Sequence, residues 1–566
     1  MEVFQRAQRW YLKIPYSAEN VEKCRRIPGQ RKWSKPLQAW SFMPTPDVTE
    51  YLRNAFPSLD LSELDELNAT SARRAPDRDY VYATEPMGHQ KEGFNLSKRE
   101  VAFAYFMEQG TGKTKLTIDN MAYLAAVGEI DCAVVICPDI VKWTWPEELA
   151  THMPDYIDYV PVVWEAGKNT KKFNAHWDQQ WDIEKLPVVI CNVESLSRKG
   201  RLYNDLLKLV QQRRVMGVVD ESGRIKSVSA ERTKNVLSLG PLFEYRRILT
   251  GTPVTAGPLD VFSQMKFLDP MILGYESYYA FRARYAVLEQ HEAKGRRFQK
   301  VVGYQNQEEL AERIEPYSFR VLKDECMDLP PKVYKKITVP MSPEQRQLYE
   351  TVKQEALAEF GDGMVKTSMV LTKMLRLQQI VGGYVALHDP EDEFAEPMLE
   401  PIHDTPYENP KIAAVLELIE DNPGPAIFWA RFRAEQQQLV YVLEEKAPGR
   451  VGLVNGDTSK NEREDIRRAF QGGELSYYVS NPTTGIGITL TRAEWMAYFS
   501  NTFSLDHRLQ SEDRAHRKGL NHAVTIYDIV MQNSLDGKLI STLRERKLIA
   551  DLITGDAKSG KLGDWL

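Results

Sequence analysis

Short apolar runs rich in β-branched residues recur along the chain between stretches with helical spacing. From Val81 onward these runs are CAVVICP (132–138), LPVVICN (186–192), VMGVVDE (215–221) and RRILTGT (246–252). Strands spaced by helices predict a parallel sheet, because a parallel pair needs a crossover long enough to hold a helix. A second series begins near Pro410: PAIFWAR (425–431), RVGLVNG (450–456), LSYYVSN (475–481), WMAYFSN (495–501) and AVTIYDIV (523–530). Two α/β units are therefore expected. Between them, 266–408 is rich in Glu, Gln, Leu and Lys at helical spacing, as in SPEQRQLYETVKQEALAEF, with a breaker-rich loop near His388–Pro406. No internal repeat or low-complexity tract stands out.

Composition shifts ahead of the first series. Gln5 to about Pro57 is enriched in Arg, Lys and Trp, and the acidic stretch SLDLSELDELNATSARRAPDRD follows it. This predicts a small α+β domain at 1–65, a linker at 66–80, α/β lobes at 81–265 and 409–566, and helical insertions at 266–408. The 566 residues and 43% hydrophobic content suffice for several cores. A net charge of -6 gives no global attraction to phosphate, so any nucleic-acid contact must come from local Lys and Arg. Cys24, Cys132, Cys137, Cys191 and Cys326 are scattered without a CxxC pair, which argues against a zinc site or disulfide framework and for a reducing compartment. The opening MEVFQRAQRWYLKIPY has no signal-peptide apolar core, and no run approaches the ~18 apolar residues of a membrane span. The expected location is cytoplasmic or nucleoid-associated, away from membranes, and the short chain leans toward a bacterial or viral source.

In MEQGTGKTKLTIDN (107–120) an apolar run meets a glycine-rich turn, and Gly112-Lys113-Thr114 opens a helix. Backbone N–H groups of Gly110, Thr111 and Gly112 at a helix N-terminus suit a phosphate anion. Lys113 would reach the terminal phosphates and the Thr114 hydroxyl would bind Mg²⁺. Met107 replaces the first glycine of the usual GxxxxGK[ST] pattern, and the plain alternative is a strand-to-helix turn.

Farther along, VMGVVDESG places Asp220 and Glu221 at the end of an apolar strand. One carboxylate can hold Mg²⁺ while the other orients attacking water. The alternative is a helix N-cap with Ser222. In QSEDRAHRKG (510–519), Arg514 and Arg517 are three apart and share a face if the segment is helical. An arginine reaching a γ-phosphate across a cleft is worth roughly 10³–10⁵ in rate.

Read in order, these segments resemble superfamily 2 helicase-like ATPases, and more narrowly Swi/Snf-type DNA translocases, over about 80–566. Gln90 in EPMGHQKEG looks like the upstream glutamine that reads adenine. VVICPDIVKWTWPEEL (134–149) is similar to the family's "cP…l…W..E" segment, with Pro138, Trp145 and Glu148 in register. ICNVESL (190–196), DESG (220–223) and LTGTP (249–253) look like its next elements, the last coupling ATP state to DNA. RVLKDECMDLPPKVYKKITVPMSPEQRQLY (320–349) resembles the Swi/Snf signature most specifically. VNGDTSKNEREDIRRAF (454–470) and NPTTGIGITLTRAEWMAYF (481–499) match second-lobe motifs, and Gln510, Arg514 and Arg517 fall at the arginine-finger motif. Departures are Gly223 for the usual histidine, Ile486 and Thr489 against GGxGxN, and Phe503-Ser504-Leu505 for WNP.

The resemblance implies two RecA-like lobes sharing one ATP and Mg²⁺ site. Gln90 and Gly485 join the phosphate loop around the nucleotide, while Pro138, Trp145, Thr484 and Thr491 are implied DNA contacts. The amino-terminal run 11–44 interleaves a basic centre, including Arg31 and Lys32, with Trp33 and Trp40. Such residues suit phosphates and an unpaired base, or else form a tryptophan core with solvated charges. This run also resembles the HARP-type domain of fork-remodelling Swi/Snf members. The expected function is ATP-dependent translocation on duplex DNA, forked or branched DNA included, with remodelling or reannealing as the work. Alternatives are a strand-separating DNA or RNA helicase and an ATP-gated DNA-binding subunit of a nuclease or defence complex.

Overall fold

The computed structural model describes residues 1–6, 9–27, 31–34, 39–42, 46–65, 80–168, 170–181, 184–293, 296–326, 329–361, 367–387, 398–483, 489–517 and 520–554. They form two compact units, Met1–Tyr80 and Val81–Leu566. In the first unit, β1 (Glu2–Arg6), β2 (Arg9–Lys13), β3 (Arg31–Ser34) and β4 (Ala39–Phe42) make an antiparallel sheet in the order β1-β2-β4-β3. Helices Ala18–Arg25 and Pro46–Ala55 accompany it, the first capped by Ser17, which accepts from Asn20 N at 3.0 Å. Trp10, Leu12, Phe42, Leu52 and Phe56 form the core, and Trp40 packs against it. Trp40, one of the two indoles considered for base stacking, is half-buried there. Arg31, Lys32 and Trp33 pair in register with Phe42, Ser41 and Trp40; their side chains lie outside the described part.

The second unit holds two parallel sheets. The first contains β5 (Ala102–Met107), β6 (Cys132–Cys137), β7 (Tyr159–Val163), β8 (Leu186–Asn192), β9 (Val215–Asp220) and β10 (Tyr245–Leu249). An antiparallel hairpin follows, β11 (Ala286–Ala293) with β12 (Arg296–Tyr304), before β13 (Ser318–Val321) completes the sheet as β13-β5-β10-β9-β6-β8-β7. Every residue of β6 and β8 is buried, which is why these strands are continuous apolar runs rather than alternating ones.

The second sheet runs β14-β21-β20-β17-β19-β18, from β14 (Lys332–Val339), β17 (Ala426–Trp429), β18 (Val451–Val454), β19 (Tyr477–Ser480), β20 (Trp495–Tyr498) and β21 (Val524–Met531). A small hairpin, β15 (Tyr384–Leu387) with β16 (Met398–Pro401), lies outside it. Successive side chains of β17 enter opposite cores: Phe428 joins Leu439 and Val479, while Ile427 and Trp429 join Tyr478 and Met496.

The chain thus has the expected class, two parallel-sheet α/β lobes and a small amino-terminal sheet. The stretch 266–408 holds the expected helices, Pro343–Gly361 and Thr367–Val381 among them, and it also supplies both hairpins and an edge strand to each lobe. Edge strand β14 is exposed or half-buried at every residue before Val339, so its lysines mask the strand in the composition. Of the breaker-rich loop, 388–397 lies outside the described residues. Helix Leu535–Thr554 spans both lobes: Leu539 and Leu543 pack on Leu505, and Ile553 enters the first-lobe core. Among the described residues no helix is long and apolar enough to cross a membrane.

Candidate nucleotide site between the lobes

The chain leaves β5 and enters helix Lys113–Ala126 through Gly110 (φ 87°) and Gly112 (φ 85°), both left-handed conformations that a side chain would strain. A Cβ on Gly112 would stand 2.0 Å from Gln90 Nε2, and one on Gly110 would stand 3.9 Å from both Arg517 Nε and Lys323 Cε. The second lobe therefore comes within a side-chain contact of this turn. Lys113, 9% exposed, donates from Nζ to the Met107 carbonyl at 2.8 Å and the Glu108 carbonyl at 3.2 Å, which holds its ammonium inside the loop. His89 Nε2 donates to the Thr111 carbonyl at 2.8 Å, since that oxygen can only accept. Thr114 lies half-buried in the first helical turn. Gln90, the implied adenine reader, accepts from Met87 N at 2.8 Å and donates to the Gly112 carbonyl at 3.2 Å, so its amide braces the loop.

Asp220 closes β9, and Glu221 follows in a left-handed conformation (φ 49°). Trp145 Nε1 donates to Asp220 Oδ2 at 3.1 Å, and Glu221 N donates to Asp220 Oδ1 at 2.9 Å. Burial raises the proton affinity of Asp220, opposed by the charge of Lys113. Burial likewise pushes Glu221 up to about 7. Lys113 and, from the second lobe, Arg514 pull it down, while Asp220 and Asp506 push it up. Glu221 thus feels charge from both lobes. Ser222 does not cap a helix; its Oγ donates to Gln264 Oε1 at 2.7 Å.

Two implied DNA contacts are corrected here. Trp145 is 2% exposed with its indole N–H committed to Asp220, and Pro138 is buried at the end of β6. Neither presents a surface to a duplex. Thr491 is half-buried and accepts from Gln471 Nε2 at 3.1 Å. Thr484 and Gly485 lie outside the described residues.

In the second lobe, helix Leu505–Glu512 carries Gln510 but ends before Arg514 and Arg517. They therefore do not share a helical face. The Arg514 carbonyl accepts from Leu490 N at 2.9 Å, which ties this segment to the loop before β20. Arg514 is 1% exposed and held down to about 10 by burial and by neighbouring Arg517. Arg517 Nη1 donates to Thr489 Oγ1 at 2.7 Å.

Several residues of this interface had no signal in spacing. Thr252 Oγ1 donates to Asp506 Oδ1 at 2.8 Å, linking the LTGTP turn to the second lobe. Lys323, 3% exposed, donates from its backbone N to Glu108 Oε2 at 2.9 Å and pairs through Nζ with Asp513 at 2.7 Å. Lys332 joins at 3.3 Å; burial alone would raise Asp513, but the two lysines hold it well below the usual carboxylate range. Lys323 and Lys332 stand in the Swi/Snf-like signature, and Asp513 in the arginine motif, yet nothing local shows that they meet.

Comparison with known proteins is consistent along the second unit. The Helicase conserved C-terminal domain family matches residues 410–519. The chain is 23% identical over 531 residues to the TATA-binding protein-associated factor MOT1 of Saccharomyces cerevisiae, covering 83% of this chain and 28% of that protein. It is 22% identical over 557 residues to a Caenorhabditis elegans homologue of the SWI/SNF-related matrix-associated actin-dependent regulator of chromatin subfamily A-like protein 1, covering 94% and 72%. Against the Bacillus subtilis protein YwqA it is 24% identical, covering 82% and 48%; the chain thus spans half or less of the length of the first curated relatives it matches. Among solved structures, the Sulfolobus solfataricus SWI2/SNF2 ATPase core in complex with dsDNA is similar at 23% identity and a TM-score of 0.37, covering 86% of this chain and 98% of that one. The SNF2-related domain family matches residues 99–383, just over half of the chain, and the chain belongs to that family.

Proposed function

We propose that this chain hydrolyses ATP between its lobes and uses the cycle to move along double-stranded DNA, remodelling or reannealing it. The observation that carries the reading is the meeting of opposite lobes over one turn: Arg517 lies beside Gly110, and Arg514 acts on Glu221. Lys113 would hold the phosphates, and Asp220 and Thr114 are the hard oxygen donors that suit Mg²⁺ brought with them. Glu221 would orient the attacking water, and the arginines would neutralise charge on the departing phosphoryl group. Forked or branched DNA is the proposed preferred form, with the amino-terminal unit contributing; the Caenorhabditis elegans relative covers 94% of this chain, so that likeness reaches into this unit.

The test is the steady-state ATPase rate without nucleic acid, then with single-stranded, duplex and forked DNA and with RNA at one salt concentration. Strong stimulation by duplex or forked DNA is expected, followed by triplex displacement. Stimulation only by single strands or RNA would overturn translocation on duplex DNA. It would favour a strand-separating helicase.

A further inference from the structure

Asp506 belongs to no motif singled out by the sequence, yet it joins the two lobes beside the nucleotide cleft. It lies in the first turn of helix Leu505–Glu512, where a carboxylate is favoured by the helix dipole. Ser504 caps that turn by accepting from His507 N at 3.3 Å, and buried Leu505 anchors it on Leu539 and Leu543. From this fixed base, Asp506 Oδ1 accepts two hydrogen bonds. One comes from Thr252 Oγ1 of the first lobe at 2.8 Å, the other from Gln510 Nε2, one helical turn on, at 3.0 Å.

A carboxylate can only accept, so its bond with Gln510 settles which end of that amide is which. The nitrogen must face Asp506. The carbonyl oxygen must then point elsewhere, and Gln510 Oε1 is indeed buried without a hydrogen-bond partner among the described residues. A buried acceptor left unmade costs stability unless something donates to it.

We propose that Asp506 is a positioning residue for the ATP hydrolysis proposed above: it docks the arginine-bearing segment on the Thr252 turn and orients Gln510 so that its carbonyl oxygen is the acceptor offered to the reactants. The inference rests on the nucleotide-site reading. Gln510 would accept a hydrogen bond from the attacking water or from another donor of the ATP complex, while Asp506 itself touches neither.

The experiment compares kcat and KM for ATP in the full chain carrying Asp506→Ala, Asp506→Asn, Thr252→Val and the double variant Thr252→Val/Asp506→Ala. Losing hydrogen bonds to a charged group should lower kcat by roughly 10- to 100-fold, while KM stays within about twofold because ground-state binding is untouched. Asp506→Asn keeps an acceptor oxygen and should recover part of the loss. The double variant should be no slower than Asp506→Ala, since Thr252 acts through Asp506. Wild-type kcat in Asp506→Ala, or effects that multiply in the double variant, would overturn the inference. If Asp506→Ala does not fold, the partial loss in Asp506→Asn and its coupling to Thr252→Val, read from the double variant Thr252→Val/Asp506→Asn, carry the same decision. Lys113→Ala serves as the reference. Turnover surviving there would remove the nucleotide-site reading itself, whereas an inactive Lys113→Ala beside a fully active Asp506→Ala would remove only the role of Asp506.

Discussion

Replacing Glu435 by Gln should flatten the pH dependence of second-lobe stability. Glu435 is fully buried at the start of helix Arg433–Lys446; its Oε2 accepts from Ser500 Oγ at 2.5 Å and from Phe432 N at 3.1 Å. Burial raises its pKa from 4.5 to about 7, with Ser500, Phe432 N and Lys411 pulling it down and Asp536 pushing it up. Arg431 and Tyr384 also feel its charge. Because the folded value lies above the unfolded one, the folded state binds more protons in between. The stabilisation is therefore complete below the unfolded value and is lost as pH rises through the folded value. The interval corresponds to about 3 kcal/mol in full, and to about 2 kcal/mol between about pH 5.5 and about pH 8. The glutamine side chain has no such titration. Urea unfolding of both proteins at the two pH values should show the wild type losing about 2 kcal/mol more than Glu435→Gln on going to the higher pH. Parallel losses in the two proteins would refute a proton held on Glu435 by burial.

Lys113→Ala and Glu221→Gln should each abolish ATP turnover, the second by roughly 10²–10⁴-fold as the loss of a general base; retained turnover in Glu221→Gln would remove that acid from the site. Arg514→Ala and Arg517→Ala should cost roughly 10³–10⁵ in kcat while a fluorescent ATP analogue still binds, and a loss below about tenfold would deny that they meet the transferred phosphoryl group. Trp145→Phe keeps an aromatic ring but removes the donor to Asp220, so half-saturation by Mg²⁺ should rise by about tenfold, as for loss of a bond to a charged group. Unchanged Mg²⁺ dependence with weakened DNA affinity would instead restore Trp145 as a DNA contact.

Much of this protein was legible because it is local. Strands buried on both faces must be apolar throughout, and each of the β-branched apolar runs quoted from the sequence, edge strand β18 included, lies on a strand of a parallel sheet. The phosphate-loop turn was legible for the same reason: two left-handed glycines, a lysine and a threonine are adjacent in the chain. Half-exposed β14 and hairpin β11–β12 were not, because edge and isolated strands need no continuous apolar run. Partner choice was not legible either. Trp145 finds Asp220 across 75 positions, Lys323 finds the His516 carbonyl across 193, and Thr252 finds Asp506 across 254. A buried polar group must be satisfied, and only the packing of two lobes decides which distant residue comes within reach. The sequence determined which groups could do chemistry; the tertiary structure decided which of them face one another.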